Sequence, residues 1–536
     1  MKTNFVKSRW LFTMLLFVTT MIMPTMMLAK SITPTTPKGD GKTEPYQIGT
    51  AEELYWFAGL VNGTLEGVKQ DASANAILTD NITVNEGVLD AVNKGQVSES
   101  DFIEWKPIGT YDSYDAVYTG TFDGQGHTIS GLYFNHPDAS YVGLFGYIRA
   151  NGKISNVGVS DSYFKFRMKG GGVCGKNDKD GVLQNCSNSS TVIGKNQYSR
   201  TGGVCGDNSG TVRDCKNTGS VSGENFVGGV CGNSYRVTNT NYCYYLSDTA
   251  TRGIGNLMAD EKDKAEKMFK EQFESGEVAW LLNGKGSGEQ VWGQQLGKDL
   301  YPVPGSDYKV IKAAQGDKDE NGHYTYWATF SNQTNDATLS VPSDRTLKVY
   351  NATVSGGKMT LTERNNQVAK EEGVLLKTDG EYVNAKVNKT NELTAASSDE
   401  NYLVATPAET QIVTAAGYIL YRLTYNDATN KKGLGFYLSV DKANNSYNGT
   451  RLKATPGKAY LKVSENEAKD PSSAALARSF VFGSGNETTG IEGITIMGTD
   501  VQRHGTIEGI FDLQGRKISN PTKGIYIKNN KKVVIK

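Results

Sequence analysis

Between Val142 and Tyr245 the chain writes one phrase four times: VGLFGYIRANGKISNVGV, GGVCGKNDKDGVLQNCSN, GGVCGDNSGTVRDCKNTG and GGVCGNSYRVTNTNYCYY. The framing glycines Gly143, Gly172, Gly203 and Gly229 are 29, 31 and 26 residues apart. A unit of that length makes about three short strands and cannot enclose a core by itself, so neighbouring copies must stack. The period therefore predicts a solenoid of parallel β coils, one coil per copy. Residues at equal repeat positions should then form columns along the axis.

That expectation assigns the cysteines. All six lie inside the repeats. An even count in an exported chain invites a disulfide framework. Yet Cys174, Cys205 and Cys231 share the GGVCG position, and Cys186, Cys215 and Cys243 follow them at a second shared position. Small apolar thiols suit interior ladders, so two columns of buried free Cys are expected in preference to bridges. Asn156, Asn185 and Asp214 share another position, where stacked amides would line a corner of the coil.

The N-terminus reads as an export device. Lys2, Lys7 and Arg9 precede an apolar run from Trp10 to about Leu28, and cleavage is expected after Ala29, with an uncleaved anchor as the alternative. The whole chain carries 57 basic and 57 acidic residues, so loss of three basic ones leaves a mature charge near −3. That excludes a generic electrostatic grip on nucleic acid or anionic lipid. No membrane span is expected once the signal is removed. Residues 30–44 read as a Thr/Pro/Gly/Lys linker. Then Thr50 and Glu53 form a capping box ahead of Leu54, Phe57, Ala58 and Val61, with Gly63 as the stop. This predicts a short amphipathic helix that lids the first coil. Residues 85–100 look like an insertion, and residues 260–283 turn helical, with Gly276 between two short helices.

From Tyr46 to about Tyr245 the chain resembles the GLUG-repeat proteins of bacterial cell surfaces. The likeness rests on AEELYWFAGLVN, WKPIG, TFDGQGHTISGLYF, VGLFG and the GGVCG…NC repeats, in that order. It implies a right-handed parallel β-helix outside the cell. GLUG repeats also accompany a zinc protease of the IgA-peptidase type, but this chain has no His-Glu-x-x-His, so that activity does not transfer. The segment SGEVAWLLN…YPV is similar to the closing segment of GLUG proteins, which makes residues 45–305 one capped unit. Trp280 and Trp292 are then expected to pack on the last coil.

Residues 306–482 carry short alternating strands parted by Gly, Asn, Asp and Ser, the pattern of one or two β-sandwich-like domains. This stretch resembles accessory β-domains of Bacteroidetes surface proteins. Residues 483–505 read as a flexible linker. Residues 506–536 resemble a Bacteroidetes C-terminal sorting domain, through Asp512-Leu513, Gly515-Arg516, Gly524-Ile525-Tyr526 and the terminal KKVVIK. That resemblance implies the secretion machinery as a partner. The expected fold class is thus mainly β: a parallel β-helix with helical caps, a β-sandwich-like region and a small C-terminal β module.

Chemistry is sparsely written. His127, His136, His323 and His504 lack zinc spacing, and neither a nucleophile elbow nor a phosphate loop is present. No metal or cofactor is expected. Asp112, Asp115 and Asp123 are the nearest acidic cluster, with Asp178, Asp180, Asp207 and Asp214 further on. Most sit beside Gly or Asn, where Asp serves a turn. The loops between repeats are richer: Tyr163, Phe164, Phe166 and Arg167, then Lys195, Tyr198 and Arg200, then Phe226. Tyr163, Phe166, Arg167, Lys195, Tyr198, Arg200 and Phe226 are the candidate ligand-binding residues if they share one edge. The plain alternative is that each packs against its own coil. The functional expectation is a secreted or surface-exposed adhesin-like protein for a glycan or protein ligand. The alternative is a polysaccharide lyase or hydrolase.

Overall fold

The computed structural model describes residues 30–482 apart from short gaps, the longest being 440–450. Beyond residue 482 it describes only the strands Ile494–Met497, Ile510–Phe511, Gly524–Lys528 and Lys531–Ile535. The expected signal segment 1–29 lies outside the described residues, as does most of the sorting-like module.

The protein is mainly β. In the repeat region the chain passes through five parallel sheets and returns to each of them once per copy. One sheet contains Phe145–Ile148, Cys174–Asn177, Cys205–Asn208, Cys231–Ser234 and Ile254–Asn256. Its register sets Phe145, Cys174, Cys205, Cys231 and Ile254 side by side. A second runs from Tyr46–Ile48 to Thr240–Asn241 and aligns Ala76, Phe122, Ile154, Leu183, Val212 and Thr240. These columns are buried, and together they form one continuous core. Side chains alternate along each strand, so one residue in two faces inward and stacks on its copy in the next turn.

Cys186, Cys215 and Cys243 line another interior column. The Cys186 amide donates to the Cys215 sulfur at 3.4 Å, and Cys243 is opposite Ala265. All six cysteines are free and fully buried. The interior also holds amide ladders. Asn177 Nδ2 donates to Asn208 Oδ1 at 2.9 Å, and Asn188 Nδ2 donates to Asn217 Oδ1 at 2.8 Å. These ladders explain two of the framing glycines, Gly172 and Gly203. A Cβ on Gly172 would lie 2.0 Å from Asn188 Oδ1, and one on Gly203 would lie 2.3 Å from Asn217 Cγ. The other two framing glycines are kept bare by different neighbours, Gly143 by Gly171 O at 2.5 Å and Gly229 by the Tyr245 ring at 2.3 Å. At an outer corner Asn156, Asn185 and Asp214 adopt left-handed φ of 55°, 53° and 55°. Asn185 donates to Asn156, and Asn156 to Asp123, each at 2.9 Å.

The helix Ala51–Asn62 has the Thr50/Glu53 capping box and ends on Gly63 at φ 70°. Its Phe57 packs on Tyr118 and Phe122 at 6.1 and 6.0 Å, covering the first turn of the stack. Residues 30–44 are not a free linker. Thr35 N donates to Glu52 O and Gln47 N to Lys38 O, because the open strand Tyr46–Ile48 needs an edge partner. The insertion forms the helix Val88–Asn93, whose Val88 packs with Phe102, Tyr133 and Tyr163 on the outside of the stack.

At the far end the expected helical stretch is only partly helical. Ala265–Met268 is a strand paired with Cys243–Leu246, since the last turn still exposes an edge. The helices Lys270–Glu274 and Glu277–Leu282 follow, with Gly276 at φ 89° between them. Phe273, Val278 and Leu282 pack with Tyr244, Met268 and Trp292. Trp280 packs against the same cluster and also meets Tyr382 edge-on at 6.3 Å, with Lys312 Nζ 4.6 Å from its ring centroid. It thereby joins the cap to the β region that follows.

In that region a central sheet of Ala314–Lys318, Tyr324–Ser331, Leu347–Ser355, Lys358–Arg364 and Gly373–Thr378 serves two cores. Ala328, Phe330, Val374 and Leu376 face the sheet containing Tyr308–Lys312 and Tyr382–Lys389. Trp327, Tyr350 and Leu375 face the sheet containing Tyr418–Asp427, Lys432–Leu438 and Lys458–Ser464. The strict alternation of this sheet feeds both sides. Within the expected linker 483–505, Ile494–Met497 extends the central sheet in parallel with Lys358–Arg364. Its ITIM sequence has the β-branched and apolar content of a strand. Among the described residues, no helix is long and apolar enough to cross a membrane.

Candidate functional site

Two residues past each of Phe145, Cys174, Cys205 and Cys231, across a glycine that interrupts strict alternation, the side chain faces away from the core. Tyr147, Lys176, Asp207, Asn233 and Asn256 occupy one register position and form a row on the outer face. The adjoining sheet of Lys169–Gly171, Arg200–Gly202 and Val227–Gly228 adds a second row, with Lys169 opposite Arg200. Val142 bridges Gly170, which places Tyr141 at the head of that row and Phe226 at its foot.

Three tyrosines gather at the head of the two rows. Tyr141 and Tyr147 stack at 5.3 Å and 15°, and Tyr111 lies 5.3 Å from Tyr147 and 5.4 Å from Tyr141. Tyr111 is 52% exposed, so it presents the solvent face of the group. Lys169 Nζ is 5.2 Å from the Tyr141 centroid and Lys176 Nζ is 4.9 Å from that of Tyr147. Each such contact is worth ~0.5–2 kcal/mol depending on desolvation.

Two carboxylates hold the cations in place. Asp207 has a 2% exposed side chain and lies 2.7 Å from Arg200 Nη1 and 3.1 Å from Lys169 Nζ. Asn233 Nδ2 donates to it at 2.7 Å, and Asn256 in turn donates to Asn233 at 2.8 Å. Burial alone would raise the Asp207 pKa, but the Asn233 hydrogen bond, Lys169 and Arg200 outweigh it and hold it below the usual range. Asp178 accepts the Tyr147 hydroxyl at 2.6 Å and sits 3.7 Å from Lys176 Nζ. Burial works against its ionised form too, yet the Tyr147 hydrogen bond and Lys176 help keep its pKa depressed. Burial and the Asp178 hydrogen bond push the Tyr147 phenol up, so it remains a donor. Lys169, Lys176 and Arg200 thus face two carboxylates, and one positive charge is left beside an aromatic platform. Such a face suits a polar ligand with an apolar side, such as a sugar ring or a peptide segment.

The expected binding residues divide. Arg167, Lys195 and Tyr198 are exposed, Tyr198 at 63%, along the corner beside this face. Arg200 and half-buried Phe226 belong to the face itself. Tyr163 and Phe166 do not. Phe166 points into the core and is fully buried, two residues from the inward Phe164. Tyr163 points outward but is covered, stacking on Tyr133 at 5.9 Å beneath the insertion helix. Neither can touch a ligand. Of the acidic residues, Asp123 ends the corner amide chain, Asp180 sits in a turn at φ 66°, and burial raises the Asp214 pKa. Asp112 lies outside the described residues.

No family model matches the chain, and no solved structure matches it. Among curated proteins it is similar to halomucin of Haloquadratum walsbyi, 33% identical over 144 residues, which is 27% of this chain and 1% of halomucin. It is also similar to a protein of Evansella cellulosilytica described as a Gly-rich membrane protein, 37% identical over 59 residues, 11% of this chain and 6% of that protein. The chain thus spans only a small part of the length of either relative.

Tyr111, Tyr141, Tyr147, Lys169 and Lys176 were not among the residues expected from sequence. A signal for them exists. The residue after the second glycine of each GLFG or GVCG step is Tyr147, Lys176, Asp207 or Asn233. A position that changes chemistry between fixed glycines points away from the core.

Proposed function

We propose that this is an exported, adhesin-like binding protein of the cell surface or the secreted fraction. In this reading the repeat region is a right-handed parallel β-helix of the GLUG type, presenting its tyrosine–lysine face to an extracellular glycan or protein. The carrying observation is the Tyr111–Tyr141–Tyr147 group edged by Lys169, Lys176 and Arg200. The in-register rows support it, because a stack of short strands holds such a face rigid and lowers the ordering cost of binding. The partial similarities to a halomucin and a Gly-rich membrane protein are compatible with a surface setting. The sorting-like C-terminus would hand the chain to the secretion machinery.

The test is binding of the mature chain to glycan and matrix-protein arrays, followed by Tyr111→Ala and Lys176→Gln. Tyr111 is exposed, so its loss spares the core. A platform role predicts at least a tenfold weaker interaction, about 1.4 kcal/mol. Unchanged binding by both variants sinks the assignment of this face. Cell fractionation with N-terminal sequencing tests export, for which cleavage after Ala29 is expected.

A further inference from the structure

A second concavity lies in the β region, far in sequence from the tyrosine face. It is a groove of about 310 Å³ where the central sheet, the strand Tyr418–Asp427 and the ribbon of Thr410–Val413 and Arg451–Ala454 converge. Four cations line it, Lys312, Arg422, Lys453 and Lys458, and among the described residues no carboxylate does. Lys312 is already balanced, 3.2 Å from Glu381 and 2.9 Å from the Tyr382 hydroxyl. Among the described residues Arg422 and Lys458 form no ion pair. Lys458 is half-buried as a residue, yet its ammonium lies deep enough that burial pulls its pKa down to about 8. A poorly solvated cation on the wall of an open groove is costly without a counter-charge, and an incoming anion supplies one. The rest of the lining includes hydroxyl-bearing Thr329, Thr406 and Thr455, apolar Leu423 and Leu452, and the aromatic Trp327 and Tyr460. That mixture matches a sugar ring, and the volume is at the small end of the ~300–1,000 Å³ typical of ligand sites.

We propose that this groove binds an oxyanion-bearing saccharide unit, with Arg422 and Lys458 as the charge partners of its carboxylate or sulfate. The site is independent of the tyrosine face and adds a second ligand class to the chain. Calorimetric titration of the mature chain with a uronic-acid trisaccharide, a sulfated trisaccharide, an uncharged trisaccharide and inorganic sulfate tests it. At least one acidic trisaccharide should bind, and the two arms tell carboxylate from sulfate. The uncharged sugar should not bind, and inorganic sulfate should bind at least tenfold more weakly. Lys458→Met and Arg422→Gln should each weaken binding of the acidic sugar at least tenfold, and Tyr111→Ala should leave it unchanged. Arg422 is exposed, so its variant stays folded even if Lys458→Met does not. Binding of neither acidic sugar, equal binding of the uncharged one, or full affinity in Arg422→Gln overturns the proposal. Equal affinity for inorganic sulfate overturns the saccharide assignment.

Discussion

Replacing Lys216 by Met probes how the C-terminal cap is held on the stack. Lys216 faces outward from the strand Lys216–Asn217, but the cap covers it, leaving the residue 5% exposed. Its ammonium has two aromatic neighbours, Trp292 at 5.9 Å and Tyr301 at 5.7 Å. Burial lowers its pKa from 10.5 to about 8. At ~1.4 kcal/mol per pKa unit, that drop corresponds to about 3 kcal/mol against the charged form. The two ring contacts lie near the outer limit of cation–π distance and return ~1 kcal/mol together. Lys216→Met should therefore stabilise the repeat region by about 2 kcal/mol at pH 7, since Met fills a similar volume. The sign with pH follows from the lowered value. Below pH 8 both states of the parent are protonated, and the cost is fully present. Between pH 8 and about 10.5 the unfolded state binds more protons, so the parent gains stability and the advantage of Met shrinks. Urea unfolding at pH 7 and pH 9.5, followed by tryptophan fluorescence, measures both points. A variant less stable than the parent at pH 7, or an equal gain at both pH values, would refute the reasoning.

The thiols should be silent to alkylating reagents in the native protein, because burial pushes Cys186, Cys205 and Cys215 up and all six are shielded. Mass spectrometry after iodoacetamide at pH 8 should find no label before denaturation and six after it, and any fast-labelling thiol contradicts the ladder. Asn217→Ala removes the acceptor of Asn188 Nδ2 and the side-chain partner of the Gly219 amide. It should cost about 1–3 kcal/mol in urea unfolding, the penalty of unsatisfied buried donors, and a cost below 0.5 kcal/mol would show that the amide ladder is dispensable.

How much was legible in the sequence depended on how local the determinant was. The helix Ala51–Asn62 was readable down to its cap, since Thr50, Glu53 and Gly63 act within one turn of the chain. The aromatics were harder. The 2-residue period of a strand puts Phe164 and Phe166 on one side and Tyr163 on the other, so the inward fate of Phe166 could have been read from YFKF itself. The burial of Tyr163 could not, because its cover comes from Val88 in the insertion and Phe102 just after it, more than sixty residues earlier. The edge strands Ala265–Met268 and Ile494–Met497 escaped for a related reason. Their sequences are short and ambiguous, and what makes them strands is an unpaired sheet edge elsewhere.

By itself the sequence determined the repeat, its period and hence which residues are equivalent from one turn to the next. Once short strands pair in parallel, equivalence becomes adjacency, and the Cys, Asn and Gly columns follow from spacing alone. Only the tertiary structure decided which outward rows lie side by side. The repeat marks Tyr147, Lys176 and Asp207 as one row, but Tyr111, Tyr141, Lys169 and Arg200 lie on other segments, and no local pattern brings them beside it. Their convergence depends on the angle at which one sheet turns into the next and on which faces the insertion and the caps leave uncovered. Those are set by packing across the whole stack, where contacts far apart in sequence are close in space.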